Sequence, residues 1–366
     1  MGTLDRMLKG ENLIRPLSDS MRQEMVDKNV VRLEKASGDF TRLQELSDVI
    51  QLAAYAGDLD IVETYGIDST FDDALDRVSR ITIAAGIEAM RDAGLPLVRH
   101  YRTTSTGKKL PDRWGLPDGL SRRTGVIVGT AFGALDRVIE DVSQHVASKH
   151  AGRTGDELAA LIDRISEGLK DPTERAATRE LAKPLLEGLR GEAEVYQFSR
   201  KFLFRVLAMA HAQLAQVIAA RGPNALVNAA CASGTLALAL ADDWLRLDRC
   251  DRVIVVGADD VTHPTNLPYI GAGFLAAGAA TTEKDVERAA VPFGTERNGL
   301  ILGSGAAGFV LEREDAARAR GFEPVAELVS SQSSNSAFHG TRLDTKRIAK
   351  DVRDFVDEVL EAEGLG

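Results

Sequence analysis

Cysteine is scarce in this chain. Two among 366 residues, Cys231 and Cys250, cannot build a disulfide framework, and such sparing use fits a reducing compartment. Apolar runs are short, far below the roughly 18 residues that a membrane span needs, which excludes an integral helical membrane protein. Cations are in deficit: 45 Lys and Arg stand against 55 Asp and Glu, a net charge of −10. Affinity for a phosphate backbone comes from clustered cations, so nucleic acid is not an expected partner. Six histidines lie scattered without zinc spacing to the cysteines, so no metal is expected. The N-terminal stretch MGTLDRMLKGENLI has no apolar core followed by a small-residue cleavage site, so the cytoplasm is the expected location. Internal repeats and low-complexity tracts are missing too.

What remains is an ordinary globular composition, 44% hydrophobic and 27% charged. Its length, at about 150 residues per domain, suggests two to three domains. Residues 70–94 place Leu75, Val78, Ile81, Ala85 and Ala89 at helical spacing and stop at Gly94 and Pro96. Residues 100–124, with Gly, Pro and the basic run Lys108, Lys109, Arg113, Arg122 and Arg123, read as a loop. Gly125–Thr130 reads as a buried strand. Residues 134–195 read as a charged helical insertion, and 199–220 as one strong helix ended by Arg221-Gly222-Pro223. Next come a strand over Asn224–Ala230, a helix over Ala232–Leu247 and a buried strand over Arg252–Gly257. A loop-rich stretch at 262–290 precedes a Gly-rich turn feeding a strand within Leu300–Glu312. A further strand over Val325–Ser330 and an amphipathic helix over Ile348–Leu360 complete the chain. Strands alternating with helices argue for an α/β layered fold.

Cys231 falls where a strand runs into a helix of small residues, in Asn-Ala-Ala-Cys-Ala-Ser-Gly-Thr. The first turn of a helix presents unpaired N–H groups and a positive dipole end. Both favour a thiolate, which is the nucleophile, and the same N–H groups can receive an oxyanion. The small neighbours Ala230, Ala232, Ser233 and Gly234 leave room for a substrate chain. The alternative is a small buried hydrophobe, the commonest state of a free cysteine. Cys250, ahead of a strand, reads as inert. His211 reads as a satisfied core or edge histidine, His263 as a loop histidine, and His100, His145 and His150 as surface residues. Gly303-Ser-Gly-Ala-Ala-Gly308 matches the dinucleotide fingerprint in letters, but a strand follows it where that motif requires a helix.

Four blocks in order resemble a β-ketoacyl synthase, a condensing enzyme of the thiolase-like superfamily. They are Gly125-Val-Ile-Val-Gly-Thr130 with Phe132-Gly133; Ala230-Cys231-Ala232-Ser233-Gly234; Asp251–Asp259 (DRVIVVGAD); and PFGTERNGLILGSGAAG over 292–308. EAMRDAGL (88–95) and LDRMLKGENLI (4–14) also fit. The resemblance implies a thiolase-like α/β fold: residues 1–312 as the N-terminal half with an insertion at about 134–195, and 313–366 as linker and start of a C-terminal half whose remainder is absent. It implies Cys231 as the catalytic acyl acceptor, with no cofactor. It also implies an acyl carrier protein delivering acyl and malonyl thioesters for Claisen condensation, and a homodimer or a partner chain supplying the missing half. The long insertion is closer to a multidomain polyketide or polyunsaturated fatty-acid synthase. The basic run at 108–123 is the candidate surface for the acidic carrier.

Departures from the family pattern bear on chemistry. Gly294 stands where the family has Asp after Phe293, Asn298 where it has Asp after Arg297, and Ser304 where it has Glu in GEGAG. The two histidines that the family uses for decarboxylation have no clear counterpart. Phe338-His339-Gly340-Thr341 is the nearest string, and it better matches a polar stretch after a strand. A non-condensing partner subunit of the same fold is therefore the rival reading.

Overall fold

The computed structural model describes residues 3–34, 37–57, 59–191, 196–200, 202–338 and 343–365. The chain divides into two compact units, Met1–Gly133 with Ala208–Gly366, and Ala134–Leu207.

In chain order the elements begin with α1 (Thr3–Leu8), β1 (Ile14–Pro16), α2 (Asp19–Val26), β2 (Val31–Leu33), β3 (Phe40–Arg42), β4 (Leu52–Ala54), α3 (Ile61–Tyr65) and α4 (Ser69–Asp72). Then come α5 (Arg77–Asp92), β5 (Val98–Thr103), β6 (Lys109–Gly115), α6 (Asp118–Ser121) and β7 (Thr124–Gly129). The second unit holds α7 (Leu135–Gly168), α8 (Pro172–Gly191) and α9 (Phe202–Val206). The first unit resumes with α10 (Ala210–Ile218), β8 (Asn224–Val227), α11 (Ser233–Arg246), β9 (Arg252–Asp260) and α12 (Leu267–Ala276). It ends with α13 (Val286–Ala289), β10 (Leu302–Glu312), α14 (Glu314–Ala319) and α15 (Thr345–Ala362). No described helix is long and apolar enough to cross a membrane.

The first unit is built on a mixed six-stranded sheet, ordered β1-β4-β10-β9-β7-β8. Strand β7 runs parallel to both β8 and β9, whereas β10 is antiparallel to β9 from Ser304↔Asp260 to Glu312↔Arg252. Side chains alternate across the pleat. Val126, Val128, Ile254 and Val256 enter the core under α5 and α10. Ile127, Val253 and Val255 enter the opposite core with Ala237, Ala241 and Trp244 of α11. Helices cover both faces, which is why these strands read as continuous apolar runs.

Several expectations need correction. The helix read over 70–94 starts at Arg77, because Asp76 caps it by accepting from the Ser79 N–H (2.9 Å) and Oγ (2.7 Å). Ser69–Asp72 forms the separate turn α4. The loop read over 100–124 is mainly the antiparallel hairpin β5–β6. Its strands are mostly exposed, so they carry no period-2 signal. The single helix read over 199–220 is two helices, broken between Val206 and Ala210. Its end is set by Ala219 in the left-handed region (φ 57°) rather than by Gly222. Gly222 is needed because a Cβ there would lie 2.4 Å from the Thr124 carbonyl oxygen.

The loop-rich stretch at 262–290 contains α12, with Pro268 in its first turn. Gly271 lets this helix close on Met25, whose sulfur would lie 3.0 Å from an added Cβ. The Gly-rich turn expected before the strand at 300–312 is strand itself, so Gly303, Gly305 and Gly308 form no phosphate-binding loop. Gly308 lies under α5, where a Cβ would meet the Ala85 carbonyl oxygen at 2.5 Å. Val325–Ser330 pairs with no described strand. It is held instead along α11, where Arg246 donates to the Val329 carbonyl (3.0 Å) and Ser331 donates to Asp242 (2.8 Å).

In the second unit α7 and α8 pack together, and Arg179 pairs with Asp163 at 3.1 Å. Tyr196 donates to Asp141 (2.7 Å) and sets its ring edge against His145.

Candidate active site

Strands β7, β8 and β9 end at one edge of the sheet, with Gly129 in register with both Val227 and Gly257. Ligand sites of α/β sheets gather at the carboxyl ends of parallel strands. The chain leaves β8 there and turns into α11, and Cys231 lies in that turn with its side chain exposed. Its exposure contradicts the buried-hydrophobe alternative. Helix α11 begins at Ser233 with Ala232 as cap, one residue later than the helix read from Ala232, so Cys231 directly precedes the cap. It still stands at the end where unpaired N–H groups and the positive dipole are found.

The turn is tightly tied. Ala232 N–H donates to the Ala229 carbonyl (3.0 Å), and Ser233 N–H to the Ala230 carbonyl (3.1 Å). Ser233, buried, accepts from the Ala229 N–H (2.9 Å) and donates through Oγ to the Ala230 carbonyl (2.6 Å). Ala230, directly before the cysteine, is left-handed at φ 49°, a conformation that costs a non-glycine residue about 1 kcal/mol or more. The close approach of α11 explains Gly129 of the VIVG run. A Cβ on Gly129 would lie 2.4 Å from the Ser233 carbonyl oxygen. Gly257 is less constrained, its added Cβ meeting only the Gly234 Cα at 3.7 Å.

Two acidic residues end β9, and they do different work. Asp259 accepts from Thr130 Oγ1 (2.8 Å), Ala131 N–H (3.1 Å) and Phe132 N–H (2.9 Å), fastening the loop after β7. Asp260 is buried; it accepts from Arg77 Nε (2.5 Å) and from Ser304 Oγ (2.7 Å). Ser304 in turn accepts from the Thr262 N–H (2.9 Å). Ser304 and Asp260 are direct cross-strand partners. A glutamate at 304 would bring a second carboxylate against Asp260, so serine here is matched to its neighbour. Asn298, a second of the three departures, accepts from Thr281 Oγ1.

Other singled-out residues fall away from this turn or keep other partners. Cys250 is buried, and burial pushes its thiol pKa up, which fits an inert role. His211 is half-buried and its pKa is lowered by burial. Its Nδ1 has no hydrogen-bond partner among the described residues, unlike the satisfied histidine expected. His263 lies in a loop, where its Nδ1 accepts from the Thr265 N–H. His100 is partly buried rather than a surface residue, its Nε2 within 2.8 Å of the Leu116 carbonyl. His339 lies outside the described residues. In the basic run, Arg123 is bound to Asp251 (2.8 Å) and Asp248 (2.5 Å), so its charge is already matched within the chain. Lys108, Lys109, Arg113 and Arg122 remain exposed. Asp259 and Asn228 escaped the sequence reading; the only available signal was a pair of acids closing an otherwise apolar strand.

This architecture defines an α/β protein with an exposed cysteine in a turn at the carboxyl edge of its sheet. The same fold occurs in a type II polyketide acyl-carrier protein complex with its ketosynthase bound to the hexaketide. That structure matches at TM-score 0.52 and 19% identity, over 87% of this chain and 60% of that one. Residues 185–317 match the model of the β-ketoacyl synthase N-terminal domain. Over 134 residues the chain is 34% identical to 3-oxoacyl-[acyl-carrier-protein] synthase 2 of Staphylococcus aureus, covering 36% of this chain and 32% of the relative. It is 36% identical over 150 residues to a putative polyketide beta-ketoacyl synthase 1 of Streptomyces virginiae, covering 40% and 34%. The chain thus spans about a third of the length of these curated relatives.

Proposed function

We propose that this chain carries the acyl-accepting site of a β-ketoacyl synthase acting in fatty-acid or polyketide assembly. The observation that carries the reading is an exposed cysteine in the strand-to-helix turn, inside the segment that matches the family. The Cys231 thiolate attacks the carbonyl carbon of an acyl thioester. A carbon–sulfur bond forms to Cys231, the old thioester bond breaks, and the carrier sulfur leaves as a thiolate that takes a proton from water. The positive dipole end of α11 stabilises the charge that develops on the carbonyl oxygen. The acyl group then passes to the carbanion released when a malonyl thioester loses carbon dioxide, and the Cys231 thiolate is regenerated.

An acyl carrier protein is the proposed donor, with Lys108, Lys109, Arg113 and Arg122 as its electrostatic landing surface. A second copy or a partner chain completes the assembly. Two unpaired thiols support a reducing, cytoplasmic setting.

Incubation with an acyl thioester should add one acyl group to the intact protein, seen by mass spectrometry, and Cys231→Ala should abolish it. Unchanged loading of that variant would overturn the reading. Ser304, in place of the family's glutamate, favours a second reading: a non-condensing partner subunit that shapes the acyl pocket. Alkylation of Cys231 by iodoacetamide no faster than that of a model thiol would select it.

A further inference from the structure

The turn holding Cys231 is strained at Ala230, and core packing does not supply the restraint, because residues 228–232 are exposed. Hydrogen bonds supply it instead: Ser233 holds the carbonyl of Ala230, and a separate clasp holds its N–H. The Asn228 side chain works in two directions: its Oδ1 accepts from the Ala230 N–H (3.1 Å), and its Nδ2 donates to the Ala131 carbonyl (3.1 Å). The Ala131 peptide is itself fixed, because the N–H groups of Ala131 and Phe132 donate to Asp259. A continuous path therefore runs from the end of β9, through the loop after β7, to the residue before the cysteine. Every link is short and polar, and each backbone group in it would otherwise turn to water.

We propose that Asn228 and Asp259 are positioning residues for Cys231. They hold Ala230 left-handed and so keep the cysteine at the N-terminal end of α11. This inference rests on the nucleophile reading of Cys231 and adds the device that makes the nucleophile. Without the clasp Ala230 relaxes toward an ordinary conformation, Cys231 swings away from the helix end, and the thiolate loses the N–H groups and dipole that favour it. Asn228 contributes no core packing, so this role is separable from folding.

The test is the iodoacetamide rate at Cys231 across pH on the full chain, read peptide by peptide, with Cys250 as the buried internal reference. For Asn228→Ala, alkylation at neutral pH is expected to slow by about fivefold, its pH midpoint to rise, and the melting temperature to hold. Asn228→Ser keeps a neutral acceptor for the Ala230 N–H and is expected to recover most of the rate. In a double-mutant cycle, Asn228→Ala and Asp259→Asn should combine to much less than the product of their separate effects, as residues on one path do. The cycle cancels the separate influence of removing the Asp259 charge. A wild-type rate and midpoint for Asn228→Ala, or rates for the two variants that simply multiply, would overturn the positioning role. Failure of the underlying reading shows elsewhere, as a wild-type Cys231 that neither loads an acyl group nor outpaces a model thiol.

Discussion

At the scale of single residues, two glycines at one sheet edge make opposite demands. The Cβ of alanine at 129 would stand 2.4 Å from the Ser233 carbonyl oxygen. The obstacle is backbone at the base of the cysteine turn, so no rotamer change relieves it. Gly129→Ala is expected to destabilise by about 1–3 kcal/mol and to slow Cys231 alkylation as the turn is pushed outward. At 257 the same added atom makes an ordinary contact at 3.7 Å. Gly257→Ala is expected to change stability by less than about 0.5 kcal/mol and leave the alkylation rate alone. Urea unfolding of the two variants side by side checks this, and equal losses would contradict the close approach of α11 to β7.

At the scale of elements, the far end of the β9–β10 ladder is closed by charge. Glu312 and Arg252 are cross-strand partners, paired at 2.8 Å with side chains only 5% and 4% exposed. Arg320 after α14 pairs with the other Glu312 oxygen region at 2.8 Å, binding β9, β10 and the segment beyond them. Removing the carboxylate strands a buried guanidinium. Glu312→Ala is therefore expected to lose about 3–5 kcal/mol. Removing an exposed partner should matter far less: Glu314→Ala, which takes away one of the two solvent-facing carboxylates paired with Arg318, should cost at most about 0.5 kcal/mol. Denaturant midpoints at fixed m-value decide between them, and a small loss for Glu312→Ala would mean that water reaches Arg252.

At the scale of the whole molecule, the surface carries apolar groups that the described residues leave exposed. Helix α15 has no buried residue. Its stripe Ile348, Val352, Val356 and Leu360 faces solvent, with Val352 57% exposed. Phe293 is fully exposed in a left-handed conformation. A stripe left this exposed contributes little burial to folding. Val352→Lys, which replaces a β-branched residue by a better helix former, is expected to leave the melting temperature within about 2 °C or raise it slightly. Thermal unfolding of the isolated chain measures this. A large drop would show the stripe to be packed in solution, against a second copy or another part of the chain.

Much of this molecule was legible in local pattern. Apolar runs marked β7 and β9 because both faces of the sheet are covered. The small-residue stretch after Cys231 marked α11, and the junction before it located the cysteine turn, because strand and helix periodicities change within a few residues of each other. Exposed elements escaped: β5 and β6 have little apolar face to alternate, and the glycines of β10 look like a turn until α5 is laid across them. The break between α9 and α10 also escaped, because one apolar stripe runs through residues that belong to two separate packing units. Residue order by itself determined which segments are strands and helices in the core, and that a cysteine stands where one becomes the other. Only tertiary structure decided what holds that cysteine in place. The groups that clasp its turn, Asn228, Ala131 and Asp259, lie on three different segments of the chain, and hydrogen bonds between them exist only once β7, β8 and β9 lie side by side.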